Sequence, residues 1–282
     1  MLRIARRYAS RFVESCPPPV YDTGCTHCGI PEFPPDKKIN FEHNLNSTGS
    51  DPWKHLLVFS HGFKDFNKMP AKVEFTAGSV ASEMTSLKRL LSPNHPVSVT
   101  NALVEGINDK PNGKEKVYLY PDNKVVEFEL KHAQQFVEHY LLPKEEEVVE
   151  VFNPFAPAVQ KSKGRKDHSS LFTEKPIEED LVLICGHTQR DIRCGLLAPL
   201  LEQEFEKVLE KEKLHHVRTG LISHVGGHAY AGNVLYFPRD CSKMPIVFYG
   251  RVFPDLVQGI VNTTIKDGKI IKELYRGDVH KK

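Results

Sequence analysis

Apolar residues along the chain fall into short blocks separated by proline, glycine and polar turns. In the first half, Leu56-Leu57-Val58-Phe59 is a compact apolar run and predicts a short buried strand. Ser79 to Leu91 reads as a helix stopped by Ser92-Pro93, and Val97 to Val104 as another strand. Lys116 to Tyr120 and Val125 to Leu130 flank Pro121-Asp122-Asn123, a hairpin signal. His132 to Leu142 looks helical and Pro143 follows it. The second half is sharper. Leu181-Val182-Leu183-Ile184 is an apolar strand ending at Cys185, and Gly195 to about Lys213 has helical spacing through Leu196, Leu197, Leu200, Leu201, Phe205, Val208 and Leu209. Val217 to Ile222, Val234 to Phe237 and Ile246 to Tyr249 predict three more strands; Asp255 to Ile265 predicts a last helix, with a charged tail after it.

The order β-α-β-β-β-α in the second half is that of a thioredoxin-like core. The expected fold class is α/β (α+β), built as two thioredoxin-like domains. Residues 143–178 read as a linker, because they combine Glu145-Glu146-Glu147, several prolines and a basic run from Lys161 to Lys166. The expected division is residues 1–15 as a leader, 16–142 as an N-terminal α/β domain with a cysteine-rich start, 143–178 as the linker and 179–282 as the C-terminal domain.

Composition narrows the function. With 282 residues, 40% hydrophobic and 26% charged, the chain has enough apolar residues to bury a core. Its 38 basic and 36 acidic residues give a net charge of +2, which offers no electrostatic reason to expect nucleic acid as a partner. No stretch approaches the roughly 20 apolar residues that span a bilayer. The first residues stand apart: Arg3, Arg6, Arg7 and Arg11 precede the first acidic residue, Glu14, and Leu2, Ala5, Ala9, Phe12 and Val13 can share a helical face. That composition is one of a mitochondrial presequence; an ordinary basic surface helix is the plain alternative. Six cysteines without a secretory signal point to metal or redox chemistry rather than to a disulfide scaffold.

Two segments hold the candidate ligands. Cys185-Gly186-His187-Thr188-Gln189-Arg190-Asp191-Ile192-Arg193-Cys194-Gly195 leaves the first strand of the second half and enters its helix. His224-Val225-Gly226-Gly227-His228 leaves the next strand. In a parallel βαβ unit both loops lie at the same sheet end, so Cys185, Cys194, His224 and His228 can converge. Two thiolates and two imidazoles suit a 2Fe-2S cluster and also zinc. The eight residues between the cysteines favour the cluster, since structural zinc ligands usually pair across shorter gaps. His187, Arg190, Asp191, Arg193 and Asn233 are candidates for supporting the ligands or docking a partner; loop salt bridges and a turn residue are the plain alternatives.

At these residues the chain resembles the sucrase/ferredoxin-like family, through Cys-Gly-His-x-x-Arg-Asp-x-Arg-Cys-Gly followed by His-x-Gly-Gly-His-x-x-Ala-Gly-Asn. The resemblance is tight from about Leu181 to Val252 and looser in the N-terminal half. It implies a thioredoxin-like ferredoxin domain with a bis-histidinyl 2Fe-2S cluster, Cys185 and Cys194 on one iron and His224 and His228 on the other. It also implies a mitochondrial setting, and an electron carrier or redox regulator rather than a substrate-turning enzyme. Its partners would be redox proteins, which the resemblance does not identify.

The remaining thiols carry the alternatives. Cys25-Thr26-His27-Cys28 has the spacing of a thiol–disulfide couple or half a zinc site, but prolines at 17–19, 31, 34 and 35 deprive it of the strand and helix of a thioredoxin active site. A thiol–disulfide oxidoreductase using Cys25 and Cys28, with Cys16 as a further participant, is one competing function; a zinc-binding interaction module is another. Cys241 reads as structural, and Trp53, Phe63 and Phe66 as core.

Overall fold

The computed structural model describes residues 11–24, 31–107, 113–143 and 167–280. The first half runs β2 (Lys54–Val58), α1 (Val80–Ser86), β3 (Val97–Val104), β4 (Glu115–Tyr120), β5 (Lys124–Phe128) and α2 (Ala133–Tyr140). The second runs β7 (Asp180–Cys185), α3 (Ile192–Lys211), β8 (Val217–Ile222), β9 (Val234–Phe237), β10 (Ile246–Tyr249) and α4 (Val257–Ile260), which continues as a π-helical turn, Val261–Lys266. Each half follows one plan. A parallel pair joined through a helix, β2 with β3 or β7 with β8, is extended by antiparallel strands on its outer side. β3 and β8 pair antiparallel, so the halves share one ten-stranded sheet. This is a mixed α+β fold of the ferredoxin-like and thioredoxin-like kind, its sheet mostly antiparallel.

Alternation along the strands explains the layers. Leu56, Val58, Val117 and Leu119 point to a core shared with Phe128, Phe136 and Val137. Their neighbours Leu57, Phe59, Tyr118 and Tyr120 point the other way, into the larger core that also holds the second half. β2 and β4 thus form a wall between two cores. All six residues of β7 are buried, as expected of a strand covered on both faces. α3 buries Cys194, Leu197, Ala198, Leu201, Phe205, Val208 and Leu209 on one stripe against the sheet. It starts at Ile192, ahead of the expected Gly195, because Asp191 caps it. Phe66 is buried, in keeping with a core role.

Three segments differ from expectation. Residues 1–10 of the expected leader lie outside the described residues, but Phe12 and Val13 form β1 (Phe12–Val13), parallel to β11 (Ile270–Ile271). The chain then straps the second half: Glu14 meets Lys272, Val20 and Tyr21 donate to Gln258 Oε1, and Thr23 donates to Glu204. Most of the expected linker, 144–166, lies outside the described residues too. Its end forms β6 (Thr173–Pro176), an exposed edge strand paired to β5 through its main chain, with no apolar pattern to announce it. The expected charged tail is instead β11 and β12 (Tyr275–Val279). β12 closes the sheet on β10, and main-chain pairing again outweighs side-chain polarity. Among the described residues no helix is long and apolar enough to cross a membrane.

Candidate metal centre

The first segment of the site is the turn after β7. Cys185 ends the strand, its N–H donating to Asn233 O at 2.9 Å, and Gly186 N–H donates to Ile222 O at 3.2 Å. These bonds fasten the start of the turn to both neighbouring strands. Asp191 accepts from the Arg193 N–H at 3.0 Å and binds its guanidinium through two 2.9 Å contacts, while Arg193 Nη1 donates to Lys38 O. Both side chains are buried, so the pair fixes the helix start rather than offering a docking surface. The Arg193 guanidinium lowers the Asp191 pKa against the effect of burial. Cys194 then falls in the first turn of α3, where the helix dipole favours a thiolate. A side chain at Gly195 would place its Cβ 2.1 Å from Thr188 Oγ1, so the turn closes only on glycine.

The second segment follows β8. Ser223 is locked to β3, its N–H donating to Asn101 O at 2.8 Å. Gly226 and Gly227 take positive φ values of 78° and 70°, which turn the chain back after His224 and set His228 at the start of a 3-10 turn. Asn233 closes the loop by donating from Nδ2 to Gly227 O at 3.1 Å. His187 joins the two segments, with Nδ1 accepting from the His224 N–H at 3.3 Å and Nε2 donating to Pro70 O at 3.0 Å. Burial pushes its pKa down, consistent with a neutral strut. The stretch after β2 forms the cover: Asn67 accepts from Thr188 Oγ1 at 2.6 Å and from Gln189 Nε2 at 3.0 Å.

These segments bring Cys185, Cys194 and His224 into contact and set His228 beside His224. The Cys185 sulfur is in hydrogen-bonding contact with Cys194 and with His224. The His224 and His228 rings lie 5.6 Å apart, tilted by 31°. Both cysteines are buried and not joined by a disulfide, whereas His228 is exposed. Hydrogen bonding from Cys194, aided by His224, holds the Cys185 thiol well below its usual range in spite of burial; Cys194 is pushed up by that bond and by burial. His224 Nδ1 is buried with no partner, which is uncommon for a ring nitrogen and is relieved when a metal takes its lone pair. Among the described residues no group of three or more His, Cys, Asp or Glu side chains is arranged to hold a metal ion. The donors come instead as a sulfur pair beside an imidazole pair.

The other expected residues separate from this group. Cys25 and Cys28 lie outside the described residues. Cys16 docks on α4, its Sγ donating to Leu256 O at 3.4 Å, and burial, then Glu273 and Asp255, push its thiol up to about 12, which suits packing rather than nucleophilic chemistry. Cys241 is buried, with its N–H on Asn123 Oδ1. Arg190 is exposed. Two residues not singled out from the sequence do support the site: Arg276, which reaches the second loop from β12, and Thr48, which holds the Arg276 guanidinium from the N-terminal half.

A family model described as sucrase/ferredoxin-like matches residues 45–277. A Clavispora lusitaniae protein named altered inheritance of mitochondria protein 32 is 55% identical over 278 residues, covering 98% of this chain and 99% of its own. Its namesake in Meyerozyma guilliermondii is 53% identical over 281 residues, with 98% of each chain covered. The one in Debaryomyces hansenii is 51% identical over 284 residues, covering 99% of this chain and all of its own. No solved structure matches the chain.

Proposed function

Because this chain belongs to the sucrase/ferredoxin-like family, we propose that it is a mitochondrial electron-transfer protein that binds a 2Fe-2S cluster through Cys185, Cys194, His224 and His228. The observation that carries the reading is the meeting of a free sulfur pair and an imidazole pair at one sheet end, with one imidazole nitrogen buried and unpartnered. A two-iron cluster asks two protein ligands of each iron, which suits two pairs better than three donors around one ion. Bound there, such a cluster supplies a one-electron couple. The mitochondrial part rests on the arginine-rich start of the sequence and on the name its relatives carry.

The chain's own residues divide the remaining work. Cys185 and Cys194 hold the buried side, where water is excluded. His228 stands at the exposed side and gives a protein partner a short approach. His187 and the Asp191–Arg193 pair fix both loops, so electron gain or loss demands little rearrangement. Imidazole in place of two thiolates raises the potential above that of all-cysteine centres.

Anaerobic purification with iron, sulfide and electron paramagnetic resonance measurements tests the reading. Two irons and two sulfides per chain, with a signal on reduction, are expected. His224→Cys should lower the midpoint potential by on the order of 100 mV. A colourless protein that carries zinc when prepared without air, or a potential unmoved by His224→Cys, would sink it.

A further inference from the structure

Arg276 is fully buried, at 0% exposure. It sits where the β10–β12 register shifts: Phe248 faces Gly277, but Tyr249 faces Tyr275. Arg276 is therefore the extra residue of a β-bulge, a device that re-aims a side chain. This one turns inward. Its Nε donates to Thr48 Oγ1 at 3.1 Å and its Nη2 to Thr48 O at 2.7 Å, while Nη1 donates to Asn233 Oδ1 at 2.7 Å and to Gly226 O at 3.3 Å. Every one of these acceptors is neutral.

Space has been left for it. A Cβ at Gly227 would stand 2.2 Å from Nη2, and one at Gly250 would stand 2.8 Å from Cδ. Burying a cation is costly unless an anion answers it. Among the described residues no carboxylate pairs with Arg276. The ionisable groups close enough to act on it electrostatically are Cys185, Tyr230 and Cys194, in that order. Two of the three are the sulfurs of the candidate centre, and the guanidinium also grips the loop that carries the two histidines.

We propose that Arg276 is the built-in positive charge of the cysteine–histidine centre, a positioning residue that ties the histidine loop in place and holds the centre's reduction potential up. The proposal rests on the cluster reading. When a reducing partner gives up one electron and the centre gains it, negative charge increases there and no bond breaks. A fixed cation in a water-poor interior favours that state.

The test is the midpoint potential of the loaded protein, with thermal unfolding as a control for folding. Arg276→Gln should lower the potential by an amount equal to about a tenfold change in the one-electron equilibrium, 59 mV. Arg276→Lys keeps the charge and should stay nearer to the wild type than to Arg276→Gln. A merely structural arginine would alter unfolding and leave the potential in place. If Arg276→Gln loads the cluster at the wild-type potential, the proposal falls while the cluster reading stands. An iron-free wild-type protein removes both. Should Arg276→Gln fail to fold, Asn233→Asp sets a carboxylate against the guanidinium with nearly unchanged shape. It should also lower the potential, and an unmoved value there overturns the proposal.

Discussion

The two halves repeat one plan with opposite endings. β2 and β7 are each the first strand of a parallel pair, and each runs apolar almost to its end. β7 stops at a cysteine and passes through a short capped turn into the twenty-residue α3. β2 passes into Ser60-His61 and a long aromatic stretch before the seven-residue α1. That stretch lies over the turn after β7 and accepts its hydrogen bonds through Asn67 and Pro70. The same framework therefore serves once as a holder of donors and once as a wall and cover. What separates the two is the length and chemistry of the segment after that first strand.

The division of labour predicts effects that fall in a clear order. Cys194→Ser should remove nearly all bound iron while the far-ultraviolet circular dichroism stays in place, and Cys241→Ser should load fully. Equal loss in both would erase the distinction between site thiol and packing thiol. Phe136→Ala, in the small core of the first half, takes away a ring stacked 4.6 Å from Phe128. It should cost about 3–5 kcal/mol in urea unfolding and leave the potential of the loaded protein alone.

His55, on β2, gives a smaller and pH-dependent effect. Burial pushes its pKa down to about 3, its Nε2 is bonded to Thr100 Oγ1, and its Nδ1 has no partner. The folded protein keeps it neutral while the unfolded chain takes up a proton below about pH 6.5. Its contribution is thus complete above that pH and is lost as pH falls toward 3, by up to about 1.4 kcal/mol per unit. Urea midpoints at pH 7 and pH 5 should converge in His55→Asn relative to wild type. The smallest effect belongs to Lys272→Ala, which removes an exposed pair with Glu14 and should change stability by under about 1 kcal/mol.

The two segments that carry the candidate ligands were legible because each begins where an apolar strand ends and strand and turn signals agree. β3, β8, β9 and β10 were legible for the same reason, each being a compact β-branched or aromatic block. Arg276 was not. It lies in Tyr275-Arg276-Gly277-Asp278-Val279, whose charges read as solvated tail, and only the bulge opposite Tyr249 turns it inward. Thr48 was equally hidden, because its value lies in a carbonyl and a hydroxyl delivered by a turn. β1 and β6 are carried by main-chain pairing, which leaves no side-chain pattern to find.

The strap at the start of the chain has a consequence for assembly. Glu14 and Lys272 are 258 residues apart in sequence, yet their segments lie side by side. The closure entropy of so long a loop rises only with the logarithm of its span, by roughly 0.6 kcal/mol for each doubling, so the seam is thermodynamically modest. Kinetically it belongs among the late contacts, because such distant partners find each other slowly. Hydrogen exchange should therefore show the amides of Ile270 and Ile271 opening well before those of β7, as a zip fastener parts at its last teeth.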